Sequence, residues 1–326
     1  MESSHHELLA KVASMYYEQE MTQRHIADLL ELSRVKIYRL LKEARETQIV
    51  RILIDWPIKR SAELEGQLVE RFGLERALVL QTHVSDLAQR RRQIGQLAAR
   101  YLEEILVDDS TLSICFGSTT YEVIAAIRSD YQANIKVVQA TGSLPHALKE
   151  YDSSALTRQL AQKLGGEALY LSSPLLADNA EAAAVIRNQE IVGRTLEQVR
   201  QVDIALVGIG DLNPATSGFV KAGVAAAAQL QAYREQGAIG DMAWQIFDSQ
   251  GRLYPCELNR RIIGVTLDEL RAVPQTIAVA IGISKAAAIL GSLQTGAINV
   301  LCTDQDSARQ IIELNTKDVK VYDKDG

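Results

Sequence analysis

Residues 22–45 read TQRHIADLLELSRVKIYRLLKEAR, and the fold of the N-terminal part of the chain turns on this stretch. The pattern predicts two short helices joined by a tight turn at Leu30–Ser33. Thr22 can cap the first helix and Ser33 the second, each hydroxyl accepting an otherwise orphaned backbone N–H. Ile26, Ala27 and Leu30 recur at helical spacing on the first helix, and Ile37, Leu40, Leu41 and Ala44 form the apolar face of the second. Between Ser33 and Arg45 the basic residues are Arg34, Lys36, Arg39, Lys42 and Arg45, against the single acid Glu43. Arg34, Tyr38, Lys42 and Arg45 share one stripe, with Lys36 and Arg39 beside it. A helix packed by one face and presenting cations and a phenol on the other suits the major groove of DNA. The plainer reading is a solvated charged face on a helical hairpin; the short turn and paired caps favour DNA. Arg34, Lys36, Tyr38 and Arg39 are then the candidates for base edges. Thr22, Gln23, Lys42 and Arg45 are the candidates for phosphates, with Ser33 at the helix start.

Working outward, residues 7–18 predict an amphipathic helix with Leu8, Leu9, Val12 and Met15 inward, a third helix for the pair to pack on. Gln48–Asp55 (QIVRILID) alternates like a short strand and would make a wing. Trp56–Pro57 then interrupts regular structure. The expected division is a DNA-binding unit over 1–58 and an effector-binding and oligomerisation unit over 59–326. Charge is distributed accordingly. The net charge is −6, yet residues 1–60 carry a balance of +1 and the remainder −7. A cationic footprint confined to a small module fits local DNA contact better than non-specific coating. Residues 61–72 (SAELEGQLVERF) predict a helix with Leu64, Leu68, Val69 and Phe72 on one side, serving either self-association or packing on the following domain.

At 326 residues the chain exceeds one typical domain, and its composition is that of a globular protein. Cys115, Cys256 and Cys302 are isolated and odd in number, which predicts buried, reduced thiols in a cytoplasmic protein. Paired Cys-x-x-Cys and clustered His spacings are absent, so neither a metal nor a cofactor is expected. No apolar run reaches the length of a membrane span.

From residue 75 onward short apolar strands alternate with helices. Strands are expected at Ala77–Gln81, Thr111–Phe116, Lys136–Ala140, Ala168–Leu171, Asp203–Ile209, Trp244–Phe247, Thr276–Ala280 and Asn299–Cys302. Helices are expected to fill the gaps, for example at Leu87–Leu106, Tyr121–Arg128, Ala155–Leu164, Ala222–Gln236, Lys285–Leu293 and Ser307–Glu313. This is the pattern of a doubly wound, mostly parallel α/β sheet, which binds ligands at the carboxyl ends of its strands. Three strand-to-loop junctions draw notice. In Phe116-Gly117-Ser118-Thr119-Thr120, Gly117 allows a sharp turn, and Ser118, Thr119 and Thr120 with the free N–H groups of a new helix can surround an anion. In Val207-Gly208-Ile209-Gly210-Asp211, paired glycines permit close backbone approach and Asp211 can accept from hydroxyls. That loop fails as a dinucleotide fingerprint, because no third Gly follows and Pro214 interrupts helix entry. In Ile281-Gly282-Ile283-Ser284-Lys285, a lysine stands at a helix N-terminus, which is unfavourable unless an anion or carboxylate compensates. Gly240-Asp241 offers such a carboxylate.

Taken together, these segments resemble the SorC family of bacterial sugar-responsive transcriptional regulators over almost the whole chain. TQRHIADLLELSRVKIYRLLKEARETQIVRI is similar to that family's helix-turn-helix. FGSTTYEV, VDIALVGIGDL, AIGDMAWQIFDSQGR, ELNRRIIGVTLDELR and INVLCTDQDSARQII match its effector domain in order and spacing. The resemblance implies an effector domain related in fold to sugar-phosphate isomerases but used for sensing, and a tetrameric or dimeric homo-oligomer. It further implies that the Gly117–Thr120 loop holds a phosphate, that Asp241 binds hydroxyls, that Lys285 meets the anionic end, and that Asn259 of the LN motif lines the pocket. The chain departs from the family where Glu31 occupies a turn position usually held by Gly and Tyr38 a position usually small. Its GISK loop also replaces a form with two glycines.

The function expected is a non-enzymatic regulator that binds double-stranded operator DNA and is switched by a sugar or sugar phosphate. The alternative is a sugar-phosphate isomerase or deaminase with an appended helical module, in which Asp211, Asp241 and Lys285 supply acid–base groups.

Overall fold

The computed structural model describes residues 2–47, 49–50, 57–144 and 151–322. The chain divides into two compact units, Met1–Asp55 and Trp56–Gly326. The smaller unit holds α1 (Glu2–Tyr17), α2 (Gln23–Leu29) and α3 (Arg34–Glu46) around one apolar cluster. Leu9, Val12 and Met15 meet Ile26, Ala27, Ile37, Leu40, Leu41 and Ala44 there. α1 starts earlier than the apolar pattern suggested, because no Pro or Gly halts the helix among the polar residues before Leu8. Both caps form: Thr22 Oγ1 accepts from the N–H of His25 and Ser33 Oγ from that of Lys36, each at 3.2 Å.

The turn between α2 and α3 is a helix C-cap closed by the Leu32 N–H on the Ala27 carbonyl, 3.0 Å, across Glu31 in the left-handed region (φ +52°). This geometry ordinarily recruits Gly, since a Cβ there crowds the backbone. The strand expected over Gln48–Asp55, and with it the wing, lies outside the described residues apart from Ile49 and Val50, which pack on the small core.

Among its described residues the larger unit contains ten strands: β1 (Lys59–Arg60), β2 (Arg76–Gln81), β3 (Thr111–Ile114), β4 (Lys136–Gln139), β5 (Glu167–Leu169), β6 (Ile204–Asp211), β7 (Ala238–Met242), β8 (Gln245–Asp248), β9 (Gln275–Val279) and β10 (Val300–Asp304). Their order is β1-β2-β10-β9-β6-β3-β4-β5. From β2 to β5 every pairing is parallel. β1 is antiparallel on one edge, and the β7–β8 hairpin extends antiparallel from the end of β6.

Helices cover both faces. α4 (Ala62–Phe72), α5 (Leu87–Ile105), α6 (Ser118–Ala126), α7 (Ser153–Leu164), α8 (Ala180–Arg187) and α9 (Glu190–Arg200) come first. α10 (Gly218–Lys221), α11 (Ala227–Glu235), α12 (Glu257–Arg261), α13 (Leu267–Arg271), α14 (Ala286–Gln294) and α15 (Gln305–Tyr322) follow. One apolar layer joins the sheet to α5, α6 and α7, the other to α4, α13, α14 and α15. The fold is thus mixed α/β with a mostly parallel sheet. α4 buries Leu64 and Leu68 against its own domain, the packing alternative for that helix.

Differences from the sequence reading have local causes. The helix expected over Ala222–Gln236 covers only Ala227–Glu235, because Ala222 and Gly223 (φ +66°) close a separate short helix, Gly218–Lys221, just before it. β7 was not expected, since AIGDM carries a Gly-Asp pair that reads as a turn. α8, α9, α12 and α13 occupy gaps for which no bounds were predicted; the last two span one turn each and are held by tertiary packing rather than periodicity.

The topology places a crevice. β3 connects through α6 to β4 on one side, whereas β6, its other neighbour, leads to β9 and β10 on the opposite side. Loops leaving the carboxyl ends of β3 and β6 therefore diverge, and between them lies the ligand position of a doubly wound sheet.

Candidate functional site

A cavity of about 640 Å³ occupies that crevice. Its wall is built from four segments: Cys115–Thr119 after β3, Gly208–Gly210 of β6 with the following loop, the β7–β8 hairpin, and Lys285 after β9. Arg91 of α5 and Lys221 of α10 add two cations.

At the β3 end, α6 starts without a side-chain cap, and its first intrahelical bond runs from Tyr121 N–H to the Gly117 carbonyl. Ser118 and Thr119 thus bring backbone N–H groups and hydroxyls to the cavity at the positive end of a helix dipole. Gly117 is extended (φ 163°) and a Cβ there would meet only Thr120 Oγ1 at 3.6 Å, so the expected sharp, glycine-dependent turn is absent. Thr120 is fully buried, donates to the Gly117 carbonyl at 2.9 Å, and does not line the cavity.

At the β6 end only the second of the paired glycines, Gly210, is sterically required, since a Cβ on Gly208 would meet nothing within 4 Å. Gly210 stands opposite Asp241 in the β6–β7 register, and a Cβ on Gly210 would lie 2.0 Å from Asp241 Oδ1. Gly240 is equally confined, with Ala288 Cβ at 2.7 Å from its hypothetical Cβ. Gly210 thus lets the carboxylate of Asp241 lie against bare backbone, while Gly240 lets β7 pack closely on Ala288 of α14. Burial raises Asp241 to about 7, against the opposing pull of Lys285; Asp211 adds to the rise, and a hydrogen bond from the Trp244 N–H reduces it. Lys285 donates from Nζ to the Ile209 carbonyl at 2.7 Å. Its own pKa is lowered by burial, while Asp211 and Asp241 favour its charge and Arg91 and Lys221 oppose it. These are the carboxylates that compensate a lysine at a helix start. The Lys285 loop is itself tethered: Gly282 adopts φ +100° and donates its N–H to the buried Asp304 Oδ2 at 2.9 Å.

Two further expected residues serve the frame and do not line the cavity. Asp211 Oδ1 accepts from Asn213 N–H at 3.0 Å and Thr216 Oγ1 at 2.8 Å, shaping the β6 loop. Asn259 is buried with its amide committed to Ile246 N–H, the Ile246 carbonyl and the Tyr254 carbonyl, which clamps β8. Sequence reasoning missed Arg91, Lys221 and the aromatic members Phe116, Tyr151, Phe219 and Trp244. The triple Arg90–Arg92 run was a usable signal. Arg90 is taken by Asp306 at 3.2 Å, leaving Arg91 at the cavity. Phe219 and Lys221 come from a stretch with no motif, and only folding brings them in.

In the smaller unit Arg34, Lys36, Tyr38, Arg39, Lys42 and Arg45 are all exposed on α3, opposite buried Ile37, Leu40, Leu41 and Ala44. Thr22 is exposed at the start of α2, with Gln23 partly so. Lys42 makes an exposed i,i+4 pair with Glu46 at 3.6 Å, a weak and salt-screened contact.

Residues 56–313 match the family model described as "Putative sugar-binding domain". The crystal structure of the full-length sorbitol operon regulator SorC from Klebsiella pneumoniae superposes with a TM-score of 0.70 at 27% identity, covering 94% of this chain and 99% of that one. The chain belongs to the SorC family of sugar-binding transcriptional regulators. Curated relatives agree along their whole length. The deoxyribonucleoside regulator of Bacillus subtilis (strain 168) is 28% identical over 96% of this chain and 99% of its own. The transcriptional regulator LsrR of Enterobacter sp. (strain 638) is 30% identical over 94% and 93%. Against SorC-family relatives named as regulators, the isomerase-like enzyme reading is not favoured. Among the described residues no group of His, Cys, Asp and Glu could hold a metal, all three cysteines are buried and free, and no helix is long and apolar enough to cross a membrane.

Proposed function

We propose that this SorC-family regulator reads operator DNA through α2 and α3 as a helix-turn-helix, in a DNA-binding unit over 1–58, and is switched by a phosphorylated sugar in the cavity over β3 and β6. The effector half is carried by one observation: among the described residues, three cations, Arg91, Lys221 and Lys285, and the start of α6, which has no side-chain cap, share a cavity with one carboxylate, Asp241. Such a site suits a doubly charged phosphate plus a few hydroxyls. Ser118 and Thr119 with Lys285 hold the anion, Asp241, seated over Gly210, takes hydroxyls, and Gly117 gives the ligand access to backbone. The DNA half is supported by the exposed basic face of α3 and its two caps. Arg34, Lys36, Tyr38 and Arg39 read bases from the helix whose start Ser33 caps, while Thr22, Gln23, Lys42 and Arg45 meet phosphates.

The protein acts in the cytoplasm as a homo-oligomer and without catalysis. Two-fold pairing sets recognition helices about 34–36 Å apart, or a multiple of that. The effector must bind one protomer arrangement better than the other, since equal affinity shifts no equilibrium. A thermal-shift screen of sugars and their phosphates tests the cavity, because a bound ligand raises the unfolding midpoint. Stabilisation by sugar phosphates that disappears in Ser118→Ala and Lys285→Ala is the result expected. Stabilisation that survives both substitutions removes this cavity from consideration.

A further inference from the structure

Part of the cavity wall is aromatic in a way that the anion-binding chemistry does not require. Trp244 lies with its ring centroid 4.8 Å from that of Phe116 and 4.9 Å from that of Phe219, and all three line the cavity. The backbone under this indole is unusual. β7 and β8 pair through Met242 and Gln245, leaving Ala243 and Trp244 as a two-residue turn. Both are left-handed, at φ +53° and +67°. Turns of this type are filled without strain by Asn-Gly, because a Cβ in the left-handed region meets the following carbonyl. Non-glycine residues persist there only where their surroundings over-determine them, and such positions concentrate at ligand clamps. Here the surroundings are the two phenylalanine rings and the Asp241 carboxylate, which accepts the Trp244 N–H.

A glycine at 244 would make the same turn more easily. The indole, an electron-rich ring, instead lines the same cavity as Asp241, the carboxylate proposed to take hydroxyls. A ring-closed sugar has a complement to it, a face of C–H bonds whose hydrogens carry partial positive charge and are attracted to a π cloud. An open-chain polyol has the same hydroxyls and the same phosphate but no fixed C–H face. We propose that Trp244 is a specificity-determining residue that selects ring-closed sugar phosphates over their open-chain counterparts by stacking the sugar ring on its indole. This rests on the reading of the cavity as the effector site.

Calorimetric titration of the full-length protein tests it with three probes: glucose 6-phosphate, its open-chain reduction product glucitol 6-phosphate, and inorganic phosphate. The ring-closed probe is expected to bind about tenfold tighter than the open-chain one, the scale of one good aromatic contact. Trp244→Leu should shrink that preference to about twofold or less while leaving the Kd of inorganic phosphate unchanged, and Trp244→Phe should keep most of it. Trp56→Phe leaves Trp244 as the sole tryptophan. In that background glucose 6-phosphate should shift the indole emission and glucitol 6-phosphate should not. An equal or reversed preference in the wild type overturns the role of Trp244, as does a preference that survives Trp244→Leu. Should Trp244→Leu fail to fold, an absent emission shift overturns it too. Phosphate binding that is still lost in Lys285→Ala would then leave the cavity reading intact. If no probe binds in a Lys285-dependent way, both fall.

Discussion

On α3 the candidate contact residues, mostly cations, are exposed on one helix within a dozen positions of each other, whereas the cavity gathers its groups from strand ends and helices up to about two hundred residues apart, from Arg91 to Lys285. The two regions use charge differently. Exposed cations act at a distance, are screened by salt and are individually replaceable in part. Enclosed charges are desolvated and lean on one another, so Asp241 and Lys285 each depend on the other's presence. Removing one residue should therefore cost much in the cavity and less on the exposed surface.

The sharpest test is Lys285→Ala. It should weaken binding of a sugar phosphate by about 2–5 kcal/mol, as when one partner of a buried charge pair is truncated, and calorimetry would read this directly. A loss below tenfold would mean that the cavity behaves like an exposed surface. Next, Gly210→Ala drives a methyl into Asp241 Oδ1. Overpacking of this kind costs about 1–3 kcal/mol of stability. Its midpoint should fall by about 2–4 °C per kcal/mol, while Gly117→Ala, with open space around it, should leave the midpoint unchanged.

On the exposed side, Arg39→Ala should cost about 1–3 kcal/mol of operator binding and relax selectivity at one base position, whereas Lys42→Ala should weaken all sequences alike and lower the salt slope by about one. Unchanged selectivity in Arg39→Ala assigns it to phosphates instead. A smaller effect concerns pH. Burial lifts the Asp241 carboxyl from 3.8 to about 7, so between those values the unfolded chain has released a proton that the folded chain retains. Stability should fall as the pH rises from about 4 to about 7 and level off above. Midpoints of the wild type and Asp241→Asn against pH would show the slope in the first and a flatter profile in the second. Smallest of all, Glu31→Gly relieves a left-handed residue in the α2–α3 turn and should stabilise the small unit by about 0.5–1 kcal/mol in denaturant titration.

The contrast also governs what could be read without coordinates. In the small unit α2, α3, their caps and the buried and exposed faces of α3 agree with the pattern in Thr22–Arg45, because one helix carries both core and contact residues at fixed spacing. In the large unit the eight expected strands are present, since each is a run of apolar residues long enough to span the sheet. β7 was lost because its Gly-Asp pair serves the site rather than the strand. Among cavity residues, Ser118, Thr119, Gly210, Asp241 and Lys285 were visible as strand-end loops. Thr120, Asp211 and Asn259 share the same chemistry, but backbone groups and neighbouring hydroxyls claim it.

The amino-acid sequence by itself determined the alternation of elements, the basic helix face and the set of loops from which a site could be drawn, because these depend on short-range periodicity and local turn chemistry. Only the tertiary structure decided which side chains meet. Sheet order is a long-range property, and it alone brings Arg91, Lys221 and Trp244 to the crevice between β3 and β6. The same packing supplies the desolvation that raises Asp241, an effect with no counterpart in any local stretch of chain.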